Sequence, residues 1–234
     1  MNENTPEHIA IILDGNRRWA RAKGLPDNEG HKKGLENINN LVEWCLDADV
    51  KTLSLYCLSV ENLKRSKNEL DFLFEYLKIR VEEIVDKVKE NKEKGLKYDV
   101  LGNFELLPKE IVGKINDAIN VSEKEWKNDK PKLLVNLCIC YGGRQDIVQA
   151  AQGVVEQKLE INEENINANL FTKGVHDVDL LIRTGGEQRL SNFLLWQASY
   201  AELYFTDKMW PEFAKEDFLE ALEWFGKRQR RFGR

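Results

Sequence analysis

Four groups of polar residues in the sequence carry side chains that are suited to binding phosphate. They are Asp14–Arg18, Ser59–Arg65, Gly142–Arg144 and Arg183–Ser191. An arginine guanidinium binds phosphate oxygens through two parallel hydrogen bonds, and a serine hydroxyl adds a further donor. Because these groups hold more arginines than a single monophosphate needs, they indicate two diphosphates, or one triphosphate, as ligands.

The first polar group follows an apolar run and precedes a helix. Residues 9–13 are typical of a strand buried on both faces, and residues 17–23 contain good helix formers. The helix N-terminus of such a turn can hold a phosphate, but the Asp14 carboxylate would repel it unless a cation lies between them. The turn therefore indicates an anionic ligand together with a divalent metal. The alternative is that Asp14 and Asn16 only cap the helix.

The segments around the polar groups predict the fold. Strand patterns alternate with amphipathic helices, which favours a single α/β domain over residues 1–234 with a central, mostly parallel six-stranded sheet flanked by helices. The strands are predicted at 9–13, 51–58, 97–101, 132–140, 178–182 and 203–205. All four polar groups follow strand ends, and the carboxyl ends of parallel strands meet at the edge where ligands bind.

Two predicted helices bear on the ligand. Residues 27–31 are expected to form a polar loop before a helix over 33–47, and residues 68–94 predict one long helix. The long helix carries a buried stripe and a second apolar row of Phe72, Tyr76 and Ile79, with Leu73 and Leu77 close to it. The second row could pack in the core, or it could face an apolar ligand, a partner chain or a lipid surface.

Composition narrows the class of protein. A formal net charge of −5 gives no basic excess for general nucleic-acid binding. The four cysteines form no CxxC pair and three lie in apolar segments, which is typical of reduced thiols in a cytosolic protein. No segment has the ~18 uninterrupted apolar residues of a membrane span. We expect a soluble, cytoplasmic protein that can still contact a membrane surface peripherally.

The sequence lacks the motifs that are typical of several reaction classes. The chain has no GxxxxGK[ST] loop for a triphosphate, no GxGxxG for a dinucleotide and no GxSxG for a serine hydrolase. No cysteine lies in a polar, exposed setting that would suit a nucleophile. Transfer or hydrolysis at a diphosphate, assisted by a metal, is the chemistry that remains.

Five motifs in a fixed order cover nearly the whole chain. They are Asp14-Gly15-Asn16-Arg17-Arg18-Trp19, Gly30-His31, Ser59–Arg65, Tyr141-Gly142-Gly143-Arg144, and the stretch from Asp179 to Phe205. Together they resemble the cis-prenyltransferases, the undecaprenyl or polyprenyl diphosphate synthase family. The resemblance implies that isopentenyl diphosphate units are condensed onto an allylic primer, farnesyl or geranylgeranyl diphosphate. Each step would form a cis double bond, and the product would be a long-chain polyprenyl diphosphate for a lipid glycosyl carrier.

The resemblance also implies roles for single residues. Asp14, Asn16 and Asn62 would be catalytic, with Asn16 helping to position or accept the proton lost from isopentenyl diphosphate. Asp14 and Glu202 would hold Mg²⁺. Substrate would be bound by Gly15, Arg17, Arg18, Trp19 and His31 on the allylic side, by Arg183, Arg189 and Ser191 on the isopentenyl side, and by Ser59 and Arg65 in the adjacent loop. Arg231 belongs to a tail that in the family reaches into the neighbouring subunit, which implies a homodimer.

Four positions depart from the bacterial family pattern: Asp27, Glu29, Leu63 and Gln188. Together with Arg17, the first two are more typical of archaeal or eukaryotic members that make dolichol-type precursors. Two other hypotheses remain: a noncatalytic or partner-dependent subunit of a heteromeric cis-prenyltransferase, and a Rossmann-like nucleotide-binding protein.

The second apolar row of the long helix would be the wall of a channel for the growing chain, and the depth of that channel depends on how the helix packs.

Overall fold

Six strands form one parallel sheet in the computed structural model, which describes residues 5–127 and 129–230. The strands are β1 (His8–Ile12), β2 (Thr52–Ser59), β3 (Leu96–Leu101), β4 (Leu133–Tyr141), β5 (Leu180–Arg183) and β6 (Glu202–Phe205). Their order across the sheet is β3-β4-β2-β1-β5-β6. The predicted α/β architecture with a central six-stranded sheet is confirmed, and the described sheet is parallel throughout.

Helices cover both faces of this sheet. They are α1 (Asn16–Ala22), α2 (Asp27–Asp47), α3 (Lys67–Asp86), α4 (Val88–Lys94), α5 (Lys109–Glu125), α6 (Gly143–Glu156), α7 (Glu163–Asn167) and α8 (Lys215–Gly226). Successive side chains of a strand point to opposite faces. Ile9 and Ile11 of β1 therefore belong to the core cluster that α2 and α8 cover, whereas Ala10 and Ile12 belong to the cluster formed with residues 190–201. Burial on both faces explains why β1 is a continuous apolar run.

Two helix predictions were wrong in detail. The polar stretch 27–31 is the first turn of α2, which Pro26 precedes as the N-cap residue. Asp27 and Glu29 in that turn favour a helix start because they complement the positive end of the helix dipole. The predicted helix over 68–94 breaks at Lys87, and the break lets α4 turn onto β3.

The sheet order places a crevice between β1 and β5. From the carboxyl end of β1 the chain passes to β2 on one side, and from β5 it passes to β6 on the other side. Ligands of open parallel sheets bind where neighbouring connections diverge in this way. Asp14 follows β1 and Arg183 ends β5, so both flank this crevice. Over the described residues, the structure contains no helix long and apolar enough to cross a membrane.

The amino-terminal ends of the strands, opposite the crevice, hold a buried polar network around His8. The Nδ1–H group of its ring donates to the carbonyl of His176 at 2.6 Å, and Nε2 accepts from the Ser54 hydroxyl at 2.8 Å. Asn136 on β4 donates to the same hydroxyl at 3.2 Å, so the network links three strands. This pairing uses a neutral imidazole, and burial lowers the pKa of His8 to about 4.

We expect His8 to make the stability of the fold depend on pH. Because its folded pKa is below its unfolded value, the stabilisation is complete above the unfolded pKa of about 6.5 and is lost as the pH falls towards 4. Urea unfolding at pH 7 and pH 4 should show the wild type losing about 3 kcal/mol more than His8→Gln. His176→Gln, at a mostly exposed histidine, should keep the wild-type dependence. Equal losses in wild type and His8→Gln would contradict the assignment.

Candidate active site

Asp14 lies at the centre of the crevice between β1 and β5. Its Oδ2 accepts a hydrogen bond from Arg183 Nη2 at 2.9 Å, and its Oδ1 lies 3.2 Å from Arg18 Nη2. The backbone N–H of Gly15 also donates to Oδ1 at 2.6 Å. Partial burial opposes ionisation of this carboxyl, but the hydrogen bonds and the two guanidinium charges outweigh it and hold its pKa below the usual value. Asp14 is therefore a carboxylate at neutral pH.

Arg183 connects the first turn to the loop after β5. Its side chain is only 4% exposed, and its Nη1 donates to the carbonyl of Arg189 at 2.5 Å and to the Ser191 hydroxyl at 2.7 Å. Thr184 adds a second connection, because its hydroxyl donates to the Asp14 carbonyl at 2.8 Å. The predicted isopentenyl-side residues Arg183 and Ser191 are thus brought to Asp14.

The capping interpretation of the first turn fails on geometry. Helix α1 has Gly15 as its N-cap residue, in the left-handed region at φ 104°, and no side chain caps the helix. The Asn16 amide donates to the Leu13 carbonyl at 2.9 Å, while its Oδ1 is buried without a partner in the described residues. Buried polar atoms are usually paired, so this oxygen is a candidate acceptor for a ligand or an ordered water.

Gly34 on α2 is required for the position of Asn16. A Cβ atom at Gly34 would lie 2.1 Å from Asn16 Oδ1 and 2.7 Å from Cδ1 of the buried Trp210. The indole Nε1–H of Trp210 donates to the Gly34 carbonyl at 2.6 Å, which holds the helix at this close approach. Asn16 is thus fixed by an adjacent backbone and by a core tryptophan.

Ser59 and Asn62 support each other at the end of β2. The Ser59 hydroxyl accepts from the Asn62 N–H at 3.1 Å, and the Asn62 carboxamide oxygen accepts from the Ser59 N–H at 3.2 Å. This reciprocal pair starts a short 3₁₀ helix over Val60–Lys64. Both residues line the same cavity as Asp14, so the structure gives them a local positioning role next to the crevice.

Arg17 forms a salt bridge with Glu69, and Arg65 lies close enough to feel both charges. Arg17 Nη1 is 2.6 Å from Glu69 Oε1, and Ser66 donates to the other carboxylate oxygen at 3.0 Å. Arg65 forms no salt bridge with a carboxylate in the described residues, and burial together with Arg17 lowers its pKa. Arg65 lines the cavity, and its guanidinium suits an anionic ligand.

His31 is the remaining predicted residue at this edge. Its Nδ1 is 3.0 Å from the carbonyl of Asp27, and burial lowers the pKa of the ring. The neutral ring lies 6.3 Å from Phe72 between centroids, across the gap between α2 and α3. Asp27, the departure from the bacterial pattern, accepts two hydrogen bonds from Arg21 at 2.8 and 2.7 Å.

Eight of the predicted residues line a polar cavity of about 580 Å³, whereas Gly15, Arg17 and Arg18 do not line it. Its predicted ligand-binding members are Asp14, Asn16, His31, Ser59, Asn62, Arg65, Arg183 and Ser191. Sequence reasoning missed Tyr56, which also lines it, donates to the Ser191 carbonyl at 3.2 Å and stacks on Phe193. Tyr56 is difficult to identify from the sequence because it lies within a strand, whereas the predicted polar groups follow strand ends.

An apolar channel of about 300 Å³ adjoins the polar cavity. The two share Leu13, Asn16, His31, Tyr56, Cys57, Leu58 and Leu73. Phe72, Leu73, Tyr76 and Leu77 of α3 line the channel, as predicted for a channel wall. The prediction for Ile79 was wrong, since this side chain is 51% exposed. With 3.6 residues per turn, Arg80 lies nearer the centre of the face that Leu73 and Tyr76 share.

Other predicted residues lie outside the polar cavity. Trp19 packs under Lys23, and Arg189 is paired with Glu187 on the loop surface. Glu202 begins β6, so it lies at the amino-terminal ends of the strands, whereas Asp14 follows the carboxyl end of β1. The Glu202 carboxylate pairs with Arg228 at 2.9 Å. A single chain therefore does not bring the two predicted metal ligands together. Arg231 lies outside the described residues.

The carboxylate at the crevice fits a magnesium ion that is also bound by phosphate. No group of three or more His, Cys, Asp or Glu side chains in the described residues could hold a metal alone. Mg²⁺ is commonly bound by one or two carboxylates, with substrate phosphates and water completing its shell. Asp14, an ionised oxygen donor that is partly open to solvent, meets that requirement.

Comparison with known proteins identifies the family. Residues 12–233 match the protein-family model described as "Putative undecaprenyl diphosphate synthase". The chain is 43% identical to the isoprenyl transferase of Aquifex pyrophilus, over 100% of this chain and 98% of the relative. It is 41% identical to the tritrans,polycis-undecaprenyl-diphosphate synthase (geranylgeranyl-diphosphate specific) of Thermoplasma volcanium, over 98% and 89%.

A solved structure supports the same assignment. The lavandulyl diphosphate synthase of Lavandula x intermedia, in complex with dimethylallyl diphosphate, superposes with a TM-score of 0.88 at 36% identity, over 99% of this chain and 100% of that one. The chain belongs to the undecaprenyl diphosphate synthase family of prenyltransferases. Because a bacterial and an archaeal relative are about equally similar, the archaeal or eukaryotic affinity stays a prediction.

We expect Gly34→Ala to destabilise the protein by about 1–3 kcal/mol, because its methyl group would collide with Asn16 and Trp210. Gly113→Ala on α5 is the matched control, since a Cβ there meets no atom within 4 Å. That control should be neutral or stabilising by up to about 1 kcal/mol, since alanine favours a helix. Urea unfolding of both variants measures the difference. Equal stabilities would show that the close approach at Gly34 is not required.

Proposed function

We propose that this protein is a cis-prenyltransferase that condenses isopentenyl diphosphate units onto an allylic diphosphate primer and releases a long-chain polyprenyl diphosphate. The observation that carries the proposal is the junction of the polar cavity with the apolar channel. The cavity offers arginine and serine donors for diphosphates, and the channel offers a dry wall for a hydrocarbon chain. A nucleotide-binding protein would have no use for that channel.

The guanidinium groups account for binding and for charge stabilisation. Departure of the allylic diphosphate develops negative charge, and preorganised positive groups lower the energy of that state. Arg65 is available to a ligand, and Arg183 is held beside Asp14 by the loop after β5. Asn16 can accept a hydrogen bond from a substrate atom through its buried, unpartnered oxygen. The apolar channel beside these groups would hold the hydrocarbon part of the substrate.

Asp14 would hold Mg²⁺ together with a substrate diphosphate. When bound, the ion would neutralise the negative charge that develops on the oxygens of the leaving diphosphate. Arg183 and Arg18 keep Asp14 ionised for this role, and they would also contact the phosphates. Glu202 lies at the other edge of the sheet, so it would share a metal with Asp14 only if a second copy of the chain supplied it.

A homodimer is the assembly that we infer. It would bring Glu202 of a second copy towards the site, and it agrees with the tail motif at Arg231. Contact with a membrane surface would assist release of a long apolar product, which partitions into lipid. The partner-dependent alternative is less favoured because this chain keeps Asp14, Asn16 and Arg183 in one arrangement.

We expect purified protein to elongate farnesyl or geranylgeranyl diphosphate with isopentenyl diphosphate, and EDTA to abolish the reaction until Mg²⁺ is restored. Separation of radiolabelled products by chain length measures the reaction, and using both primers identifies the preferred one. Absence of product with either primer would refute the proposal for the isolated chain. Activity that appears only after a second polypeptide is added would establish the partner-dependent alternative.

We expect Asp14→Asn to lower kcat by about 100-fold or more, because it removes the charge that holds Mg²⁺ and faces Arg183. Turnover with saturating substrates measures this loss, and urea unfolding checks that the fold is retained. Asp117→Asn on the exposed face of α5 is a matched control that should keep wild-type turnover. Near-normal turnover by Asp14→Asn would exclude the carboxylate from the reaction.

A further inference from the structure

The polar group Gly142–Arg144 lies between β4 and α6 and does not line the polar cavity, although its sequence is suited to binding phosphate. The first N–H groups of α6 are used instead by one residue of the loop after β5. The Gly143 N–H donates to the Asn192 carbonyl at 2.7 Å, and the Arg144 N–H donates to Asn192 Oδ1 at 2.9 Å. Asn192 therefore caps α6 from outside the helix.

The amide nitrogen of Asn192 extends this contact to a third loop. Nδ2 donates to Glu61 Oε1 at 3.0 Å and to Gln145 Oε1 at 3.2 Å. Glu61 belongs to the 3₁₀ helix that follows β2. The side chain of Asn192 thus uses its oxygen and its nitrogen within the protein, and it joins the loops that follow β2, β4 and β5. We call the contacts of Asn192 with Glu61, Gln145 and the first turn of α6 the Asn192 junction.

The backbone around Asn192 is unfavourable by itself. Ser191, Asn192 and Leu194 have φ angles of 50°, 66° and 43°. Residues other than glycine rarely adopt this left-handed conformation, because the Cβ atom crowds the following carbonyl oxygen. Contacts from the surroundings must offset this cost. The strained segment includes Ser191, whose hydroxyl lies 2.7 Å from Arg183 Nη1 and which lines the polar cavity.

Two glycines allow the loop to approach α6 this closely. A Cβ atom at Gly142 would lie 2.7 Å from Asn192 Nδ2, and one at Gly143 would lie 2.9 Å from the backbone nitrogen of Leu195. Both separations are shorter than a Cβ atom normally allows. Packing against the loop after β5 therefore explains the Gly142-Gly143 pair of the sequence motif.

Tyr56 holds the same loop from the side of the sheet. Its hydroxyl donates to the Ser191 carbonyl at 3.2 Å, and its ring stacks on Phe193 at 4.3 Å between centroids. The backbone of Ser191 is thus held by Tyr56, and the next residue is held by the Asn192 junction. The Ser191 hydroxyl accepts from Arg183 and keeps its own hydrogen for a ligand.

We propose that Asn192 is a positioning residue for isopentenyl diphosphate, with Gly142–Arg144 as its anchor. The proposal rests on the cis-prenyltransferase function proposed above. Asn192 acts through Ser191, because the junction keeps the strained segment in the arrangement in which Ser191 and Arg183 meet. A donor that is already ordered costs less free energy to bind than one that must first be ordered. Loss of the junction weakens binding of isopentenyl diphosphate more than it slows the reaction of bound substrates.

Steady-state kinetics of Asn192→Gly tests the proposal. Glycine accepts the left-handed backbone but removes the three side-chain hydrogen bonds of the junction. We expect the KM for isopentenyl diphosphate to rise about 10-fold, while kcat and the KM for the allylic primer change less than about 3-fold. A merely structural role would reduce the amount of active enzyme, which lowers kcat and leaves both KM values unchanged. That result would overturn the proposal.

A double variant tests the link to Glu61. Asn192→Asp keeps the acceptor for the Arg144 N–H but places a carboxylate against Glu61, so it should also raise the KM for isopentenyl diphosphate. Adding Glu61→Gln restores the link with donor and acceptor exchanged. We expect the double variant to return to within about 3-fold of the wild-type KM, since residues in contact are coupled. A double variant no better than Asn192→Asp would count against the junction.

Gly143→Ala separates positioning from direct contact, because Asn192 itself lines the polar cavity and Gly143 does not. Its methyl group would push on Leu195 and shift the loop without removing a polar group from the cavity. We expect the same selective rise in the KM for isopentenyl diphosphate. If the KM rises in Asn192→Gly but not in Gly143→Ala, Asn192 contacts the substrate itself and the positioning role is wrong.

Asn162→Gly is the matched control. The Asn162 side chain caps α7 by accepting from the Asn165 N–H at 2.9 Å, and it lies outside the polar cavity. This variant loses a helix cap of the same kind and should keep both KM values, while urea unfolding of all variants shows that they are folded. Failure of the wild type to elongate any primer would instead refute the proposed function.

Discussion

The ion pair between Asp14 and Arg183 is the contact on which the candidate site depends. Arg183 is almost completely buried, and a buried guanidinium without a counter-charge would be strongly destabilising. Asp14 supplies that charge, while the Arg189 carbonyl and the Ser191 hydroxyl both accept hydrogen bonds from Nη1. One interaction thus joins the ends of two neighbouring strands, fixes the loop after β5 and keeps a carboxylate ionised in the crevice.

The second organising feature is the separation of α2 and α3. Most helices in the fold bury their apolar residues against the sheet, but on α3 only Val81 is fully buried, and many other apolar side chains are half exposed. Five of them, Phe72, Leu73, Tyr76, Leu77 and Ile84, line the apolar channel. The protein therefore leaves apolar surface unsatisfied next to its most polar crevice, which is the arrangement that an amphipathic ligand with a charged head requires.

Much of this site follows from local sequence. The apolar run of β1 and the polar residues after each strand place Asp14, Ser59 and Arg183 at one edge, because parallel strands share their direction. Glu202 could have been placed in the same way: it precedes a predicted strand, so it belongs at the other edge. The family resemblance implies a metal shared with Asp14, whereas the position of Glu202 before its strand separates the two carboxylates.

The features that could not be predicted from the sequence depend on how a helix is rotated about its axis and on how closely two segments approach each other. Whether Ile79 or Arg80 faces the channel depends on the rotation of α3 about its axis, which a broad apolar pattern leaves open. The start of α2 at Asp27 depends on how Pro26 fits before the helix. The close approach of Gly34 to Asn16 comes from the packing of Trp210, which lies far along the chain.

The pairing of β1 with β5 has a consequence for synthesis of the chain on the ribosome. Asp14 and Arg183 are separated by 169 residues, so the crevice cannot form until most of the polypeptide has been translated. Until then β1, which is apolar from Ile9 to Ile12 and pairs with β2, has one unpaired edge, and such edges recruit other chains. The nascent protein therefore passes through a long aggregation-sensitive interval, and completion of the crevice between β1 and β5 coincides with the closing of that edge.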